Sequence, residues 1–301
     1  MFHMLCGALL TIAAVANATA QDGGELAALI NDYRSAARAC EGKKRLVAGP
    51  LAPNAALALV NVKPGTPLED ALHDAGYQAA RVQAISVSGP AGARGVMEYL
   101  RRSYCGSLLS PLYSEIGVSR RNNTWHIVLA QPLVSTDLGD WQDAGMRVLE
   151  LVNHARSKAS ACGRTKFPAA PPLDWNAKLA AAALAHSNDM AKRNYFSHVA
   201  PGGAEVGGRA SRESYAWRRI GENIASGQGS PERVVSGWLA SPSHCANIMN
   251  PEFIEMGAAY AVNPEREGTI YWTQVFGTQN RRRVANYTGA IFTIPWDKKS
   301  R

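Results

Sequence analysis

Ile30-Asn-Asp-Tyr-Arg-Ser-Ala-Ala-Arg-Ala-Cys40 and Val152-Asn-His-Ala-Arg-Ser-Lys-Ala-Ser-Ala-Cys162 agree at six of eleven positions, at a numbering offset of 122. The register continues past the cysteines, where Pro50-Leu51 with Asn54-Ala55 matches Pro172-Leu173 with Asn176-Ala177. Further along the offset becomes 140: Ser103-Tyr-Cys105, Pro111, Glu115 and Gly117 correspond to Ser243-His-Cys245, Pro251, Glu255 and Gly257. Shared alanine-rich helical composition does not produce matched Cys, Pro and Gly. The chain therefore reads as one domain written twice, the first copy being shorter between the two blocks by the difference of these offsets.

Length agrees with this, since 301 residues suit two domains of ordinary size. The net charge of +8 invites a nucleic-acid or membrane reading until it is located along the chain. Residues 22–135 carry net +3, residues 136–280 are neutral, and the segment 281–301 carries +5. A broad nucleic-acid-binding face is not supported. A polyanion contact, if there is one, belongs to the basic tail 281–301, with Arg281, Arg282, Arg283, Lys298 and Lys299.

Leu5 to Val15 is apolar but too short to span a bilayer, and Ala18-Thr19-Ala20 has the small residues of a signal-peptidase site. The expectation is a signal peptide over 1–20, a secreted or periplasmic protein of the cell envelope, and no transmembrane segment. Cys6 leaves with the signal. Four cysteines then allow three pairings, and none forms a C-x-x-C pair. The duplication chooses among them, because Cys40–Cys105 and Cys162–Cys245 are the bridges that treat both copies alike.

In the second copy, apolar spacing predicts a helix over Trp141–Ser160, with Met146, Leu149, Val152 and Ala155 on one face. A second is expected over Leu173–Arg193, with Leu179, Ala183, His186 and Met190 on a stripe. Ser230-Pro231 reads as the start of a third, with Val234, Val235, Trp238 and Leu239 inside. Tyr260 ends an extended run, and Thr269 to Phe276 is a strand joined to it as a hairpin. Helices with antiparallel strands make the class α+β or a layered αβα arrangement.

Polar residues cluster at Phe196-Ser-His198, Gly221-Glu-Asn-Ile-Ala225 and Ser241-Pro-Ser-His244. Two imidazoles and a carboxylate are a donor set for a divalent metal if they converge, and equally an acid/base set. Their separation along the chain does not establish convergence. These blocks, with His186-Ser-x-Asp-Met190, Trp238-Leu-x-Ser-Pro-x-His244, Asn247-Ile248, Asn250-Pro251, Glu255-x-Gly257 and Tyr271-Trp-Thr-Gln-Val-Phe-Gly277, resemble the bacterial CAP superfamily. That superfamily holds the cysteine-rich secretory, antigen 5 and pathogenesis-related (SCP-like) proteins. The resemblance runs from about Met146 to Gly277.

The resemblance implies an αβα sandwich with an open cleft, where two histidines and acidic residues face a divalent metal such as zinc. His198 matches the first histidine, Glu222 the acid and His244 the second histidine. Ser241 stands where many eukaryotic members carry a further glutamate, which weakens a conventional acid/base reading. His186 is a candidate fourth ligand, although its helical stripe also suits a core histidine. Asp189 reads as a local pairing residue and Glu255, retained as Glu115, as structural. In the first copy Tyr104 stands at the His244 position and Gln83 is aligned with Glu222, so that copy is expected to keep the fold without the site.

The organisation expected is therefore a signal (1–20), a degenerate CAP-like domain (22–135), an intact CAP/SCP domain (136–280) and a basic tail. The function expected is an exported module binding a lipid, glycan or peptide in the cleft, with a divalent metal as cofactor. The alternative is a metal-dependent or Glu222/His hydrolase of peptide or cell-wall substrates. No nucleophile motif such as G-x-S-x-G is present, so enzyme activity is not assigned.

Overall fold

A computed structural model describes residues 22–61, 66–133, 138–263, 265 and 269–280. The signal segment 1–20, the tail 281–301 and most of the connecting stretch after Leu133 lie outside the described residues, as does part of the predicted turn before Thr269.

The first copy begins with helix α1 (residues 22–34) and a small hairpin, β1 (Arg38–Cys40) and β2 (Lys43–Arg45). There follow β3 (Ala52–Pro53), α2 (Ala55–Leu59), α3 (Leu68–Asp74), β4 (Ala79–Ser88), α4 (Ala93–Ser103), α5 (Cys105–Leu108), β5 (Glu115–Arg121) and β6 (Thr124–Pro132). The second copy repeats the plan. It has α6 (Trp141–Arg156), the hairpin β7 (Ser160–Cys162) and β8 (Thr165–Phe167), β9 (Asp174–Trp175), α7 (Ala177–Arg193) and α8 (Val206–Arg212). It closes with β10 (Trp217–Ser226), α9 (Pro231–Leu239), α10 (Pro242–Met249), β11 (Glu255–Val262) and β12 (Ile270–Gln279).

The two four-stranded sheets have one topology, β3-β5-β6-β4 and β9-β11-β12-β10. In each, the short first strand runs parallel to its neighbour and all other pairs are antiparallel. Side chains alternate across a strand, so each sheet buries both faces. On β11 and β12, Met256, Ala258, Trp272 and Phe276 pack with α6, α9 and α10. Ala259 and Val275 pack with Leu179 and Ala183 of α7 on the other face. The first copy does the same with α1, α4 and α5 on one side and α2 and α3 on the other. The fold is α+β, an αβα sandwich repeated in tandem.

Buried polar groups must be partnered, so their bonds reveal the repeat more sharply than apolar packing does. Arg34 and Arg156, both almost fully buried, each donate to four backbone carbonyls at equivalent places: Gly49, Leu108, Ser110 and Tyr113, and Pro171, Ile248, Asn250 and Phe253. Desolvation lowers these guanidinium pKa values to about 9 and about 10. Asn31 and Asn153 clasp Leu51 and Leu173 through both their amide groups. Glu115 accepts from Asn54 and Tyr77 where Glu255 accepts from Asn176 and Tyr215. The bridges Cys40–Cys105 and Cys162–Cys245 are both formed.

Several sequence expectations need correction. The helix predicted to Ser160 stops at Arg156, because Ser157 caps it and residues 160–162 form a hairpin strand carrying the cysteine. Met146 is exposed, and the buried face of α6 is Ala144, Gly145, Val148, Leu149 and Val152. The helix predicted from Leu173 begins at Ala177, since the Asn176 side chain accepts from the Lys178 and Leu179 amides and β9 precedes it. The third predicted helix ends at Leu239, and Pro242 starts a further helix, α10, that carries His244. The register also shifts the first-copy comparison by one residue. Glu222 pairs with Val275, which pairs with Gly257; Ala84 pairs with Val128, which pairs with Gly117. Ala84, not Gln83, occupies the Glu222 place, and a one-residue slip puts a side chain on the opposite face.

The copies touch along β3 and α9, where Gly237 packs beside the Ala52 backbone. Gln228 donates to the Pro50 and Ser114 carbonyls, Asn31 to that of Ala240, and Ser114 to that of Gly227. Arg233 reaches the Pro53 carbonyl and lies 3.4 Å from the Glu115 carboxylate.

Candidate functional site

Helix α7 ends with Asn194 in the left-handed conformation (φ 50°), which turns the chain sharply after the helix. Tyr195 and Phe196 pack against Met190 and Tyr271, and this anchors the half-exposed His198 just beyond. Glu222 comes from the middle of β10 and is 7% exposed. His244 comes from the first turn of α10, which is docked on β10 by three amide bonds: Asn223 to the His244 carbonyl, and Asn247 to the Glu222 carbonyl and the Asn223 side chain. Asn223 also donates to Gln274, its partner across the β10–β12 ladder. The same ladder position in the first copy is the apolar pair Ile85 and Ile127.

His198 Nδ1 lies 2.9 Å from Glu222 Oε1, and Arg209 is 2.5 Å from Glu222 Oε2. Burial alone would raise the Glu222 carboxyl pKa, but the His198 hydrogen bond and the His186, Arg209 and His198 charges outweigh it and hold it below the usual range. His186 Nε2 sits 3.9 Å from Glu222 and donates to the Ser197 carbonyl at 3.0 Å. Desolvation lowers its pKa even against the attraction of Glu222. His244 Nδ1 is 2.8 Å from Ser241 Oγ, and burial with the nearby His198 charge lowers its pKa to about 3. Its imidazole is neutral at physiological pH.

The structure thus brings His198, Glu222 and His186 together, with His244 oriented by Ser241 and near enough to His198 to feel its charge. Asp189 is bonded by Tyr195 and Arg193, a local pairing residue as expected. Glu255 opens β11 and is tied to Asn176, Tyr215 and Gln279, a structural role. Among the described residues the one trio of candidate ligand atoms mutually within 4.8 Å is Cys40, Glu41 and Cys105, and its sulfurs are joined as a disulfide. A preformed three-ligand cage of His198, Glu222 and His244 is therefore not what these side chains make. The donor chemistry fits a metal differently. Glu222 and Ser241 each engage an Nδ1, leaving the Nε2 atoms of two histidines as ligand atoms, with Glu222 as the orienting carboxylate behind one of them.

Two residues escaped sequence reasoning. Arg209 is buried against Glu222, and it also donates to the Ala204 and His198 carbonyls. Its signal was an arginine set among small residues, Val206-Gly-Gly-Arg-Ala, where a buried cation must find acceptors, carboxylate or carbonyl. Ser241, noted for the glutamate it lacks, is the residue that orients His244.

Residues 149–276 match the model of the cysteine-rich secretory protein family, CAP. The uncharacterized protein YkwD of Bacillus subtilis (strain 168) is 35% identical over 130 residues, 43% of this chain and 45% of that protein. The uncharacterized membrane protein YlbC of the same organism is 33% identical over 104 residues, 35% of this chain and 28% of that protein. The chain spans less than half the length of these curated relatives. Among solved structures, an extracellular protein containing an SCP domain from Bacillus anthracis str. Ames aligns over 74% of this chain and 76% of that one, with 20% identity and a TM-score of 0.40. The segment 149–276, which carries His198, Glu222 and His244, is a domain of the CAP family.

Proposed function

We propose that this is an exported ligand-binding module whose second copy carries the functional cleft and whose first copy is a degenerate CAP-like domain. The observation that carries this reading is the state of Glu222: one carboxylate oxygen is taken by His198 and the other by Arg209, in a buried position. With both oxygens already accepting from cationic or imidazole donors and the carboxylate almost wholly buried, Glu222 is better placed to orient His198 than to take a proton from water or substrate. His198 and His244 would hold a divalent cation such as zinc, which would supply a Lewis-acidic anchor for a polar group of a lipid, glycan or peptide ligand. In the first copy Ala84 and Tyr104 replace the acid and the second histidine. Paired disulfides support an oxidising compartment, secreted or periplasmic. Among the described residues no helix is long and apolar enough to cross a membrane.

Zinc titration of the gently purified protein tests the histidine pair. His198→Ala and His244→Ala are each expected to abolish zinc binding and the zinc-dependent rise in melting temperature, while Glu222→Gln weakens binding about 10–100-fold, as loss of an orienting partner does. Turnover of a peptide or cell-wall substrate by the wild type, lost in Glu222→Gln, would sink the binding-module reading.

A further inference from the structure

In the first copy, α1, β1 and α4 enclose a cavity of about 430 Å³ whose lining includes Arg38, Arg101 and Arg102, with Asp32, Tyr33 and Met97. All three arginines are exposed. A concave wall carrying three guanidinium groups concentrates positive potential. Each guanidinium also offers a planar fork of donors that fits an oxyanion such as carboxylate. Arg38 is fixed in place: its guanidinium lies 5.2 Å from the centre of the Tyr33 ring, and its Nε donates to the Tyr33 carbonyl at 3.4 Å. Arg102 pairs with Glu98, while Arg38 and Arg101 make no ion pair among the described residues.

The charge continues onto the hairpin. Arg38 of β1 stands directly opposite Arg45 of β2, and Lys44 and Lys43 stand opposite Ala39 and Cys40. Like charges opposite one another destabilise a strand pair, so an anion lying across them is favoured. The Cys40–Cys105 bridge ties this hairpin to α5, which directly follows the helix carrying Arg101 and Arg102. The six cations stand among three carboxylates, Asp32, Glu41 and Glu98, a formal net of +3 that equals the whole net charge of residues 22–135. The second copy is built otherwise on the same framework. Arg38, Arg45, Arg101 and Arg102 correspond there to Ser160, Phe167, Ser241 and Pro242. A β-carbon on Gly163, between the strands of that hairpin, would lie 3.1 Å from the Pro242 ring. Lys166 keeps the charge of Lys44 and Arg164 adds one, but the arginine wall is replaced.

We propose that this face of the first copy binds a linear anionic polysaccharide. One anionic group of the chain enters the arginine cavity, and its neighbours along the chain lie over the hairpin cations. The cavity selects this class. A charged group on a single chain can enter a concavity of this size, whereas a bilayer presents its headgroups as a plane. Leu29 and Met97 in the lining suit the apolar face of a sugar ring. Nucleic-acid bases would seek a free aromatic face, and the one aromatic ring of the lining, Tyr33, is covered by Arg38. The site lies in the other copy from His198, Glu222 and His244, so it stands whether or not the cleft reading holds.

Calorimetric titration of the full chain with a heparin oligosaccharide and with oligogalacturonate, at about 0.15 M salt, tests this. Neutral dextran, duplex DNA and phosphatidylglycerol vesicles serve as comparisons. Saturable binding of at least one anionic glycan is expected, weakening as salt rises and tighter than any comparison. The double variant Arg38→Ser, Arg101→Ser is expected to weaken it at least about tenfold, as loss of two close cations does, with melting temperature and zinc binding unchanged. Lys43→Ser with Arg45→Ser, on the exposed hairpin, is expected to act in the same direction and guards against misfolding of the first variant. Arg164→Ser with Lys166→Ser, on the hairpin of the second copy, should leave affinity unchanged. The tail 281–301 is present in every variant, so a contact made by the tail alone would leave all affinities equal and overturn the proposal. Absence of saturable glycan binding would do so too, as would equal losses from both hairpins, loss in His198→Ala instead of the arginine variants, or tighter binding of DNA or vesicles.

Discussion

At the residue scale, Glu222 and Arg209 are a buried ion pair whose members depend on each other. Burying two charges is costly, and the pair is tolerable because both carboxylate oxygens and most of the guanidinium donors are engaged. Removing one partner strands the other. Arg209→Ala is expected to destabilise the protein by about 3–5 kcal/mol in urea unfolding, and a loss below about 1 kcal/mol would mean that water reaches Glu222 freely. Arg34 and Arg156 show a different use of a buried cation. Each ties together four backbone carbonyls from segments distant in sequence, so either Arg→Ala substitution leaves carbonyls unsatisfied at about 1–3 kcal/mol each before relaxation. Arg34 and Arg156 both stand in the two matched peptides, yet nothing in those peptides distinguishes an internal clamp from a surface arginine.

At the element scale, the helices over each sheet sit so close that a side chain cannot intervene. A β-carbon on Gly257 would lie 2.0 Å from the Ala180 amide nitrogen, and one on Gly117 would lie 2.2 Å from the Leu57 carbonyl carbon. In both cases helix backbone is the obstacle, so the strand or the whole helix must shift. Gly257→Ala is expected to lower stability by about 1–3 kcal/mol or more, whereas Gly208→Ala, whose β-carbon meets nothing within 4 Å, should not destabilise at all. Differential scanning calorimetry of the two variants checks the contrast. The starts of α6 and α9 fall where the sequence puts them, at Trp141 and at Pro231 after the cap Ser230, whereas Asn176 caps α7 later than the expected start at Leu173. Helix ends and short strands were less legible. Strands β7, β8 and β9 have two or three residues each, too few for a period to show, and they displaced the predicted helix boundaries.

At the scale of the whole molecule, the two copies form one continuous structure through the β3–α9 seam. Gln228 is fully buried there and bridges to two first-copy carbonyls, so Gln228→Ala is expected to cost about 1–3 kcal/mol, with the two halves unfolding less cooperatively by calorimetry. A single unchanged transition would argue that the seam does not couple them. Equivalent disulfides imply equivalent losses: the double serine variant of either pair is expected to lose about 2–5 kcal/mol of stability. A large difference between them would show that the copies do not lean on their bridges alike. Repetition of framework contacts beside replacement of site residues fits a first copy kept for its fold.

The sequence by itself determined the repeat, the disulfide pairing, the α+β class, the starts of α6 and α9 and the positions of His198, Glu222 and His244, because these rest on residue identity and spacing that survive without coordinates. Only the tertiary structure decided what those residues do to one another. Convergence depends on how β10, α10 and the turn after α7 pack, and the separations of His198, Glu222 and His244 along the chain carry no such information. Packing placed Arg209 on the second oxygen of Glu222, gave Ser241 the task of orienting His244, and put Ala84 where alignment had put Gln83. In each case the deciding quantity was a distance across the fold, set by strand register and helix docking.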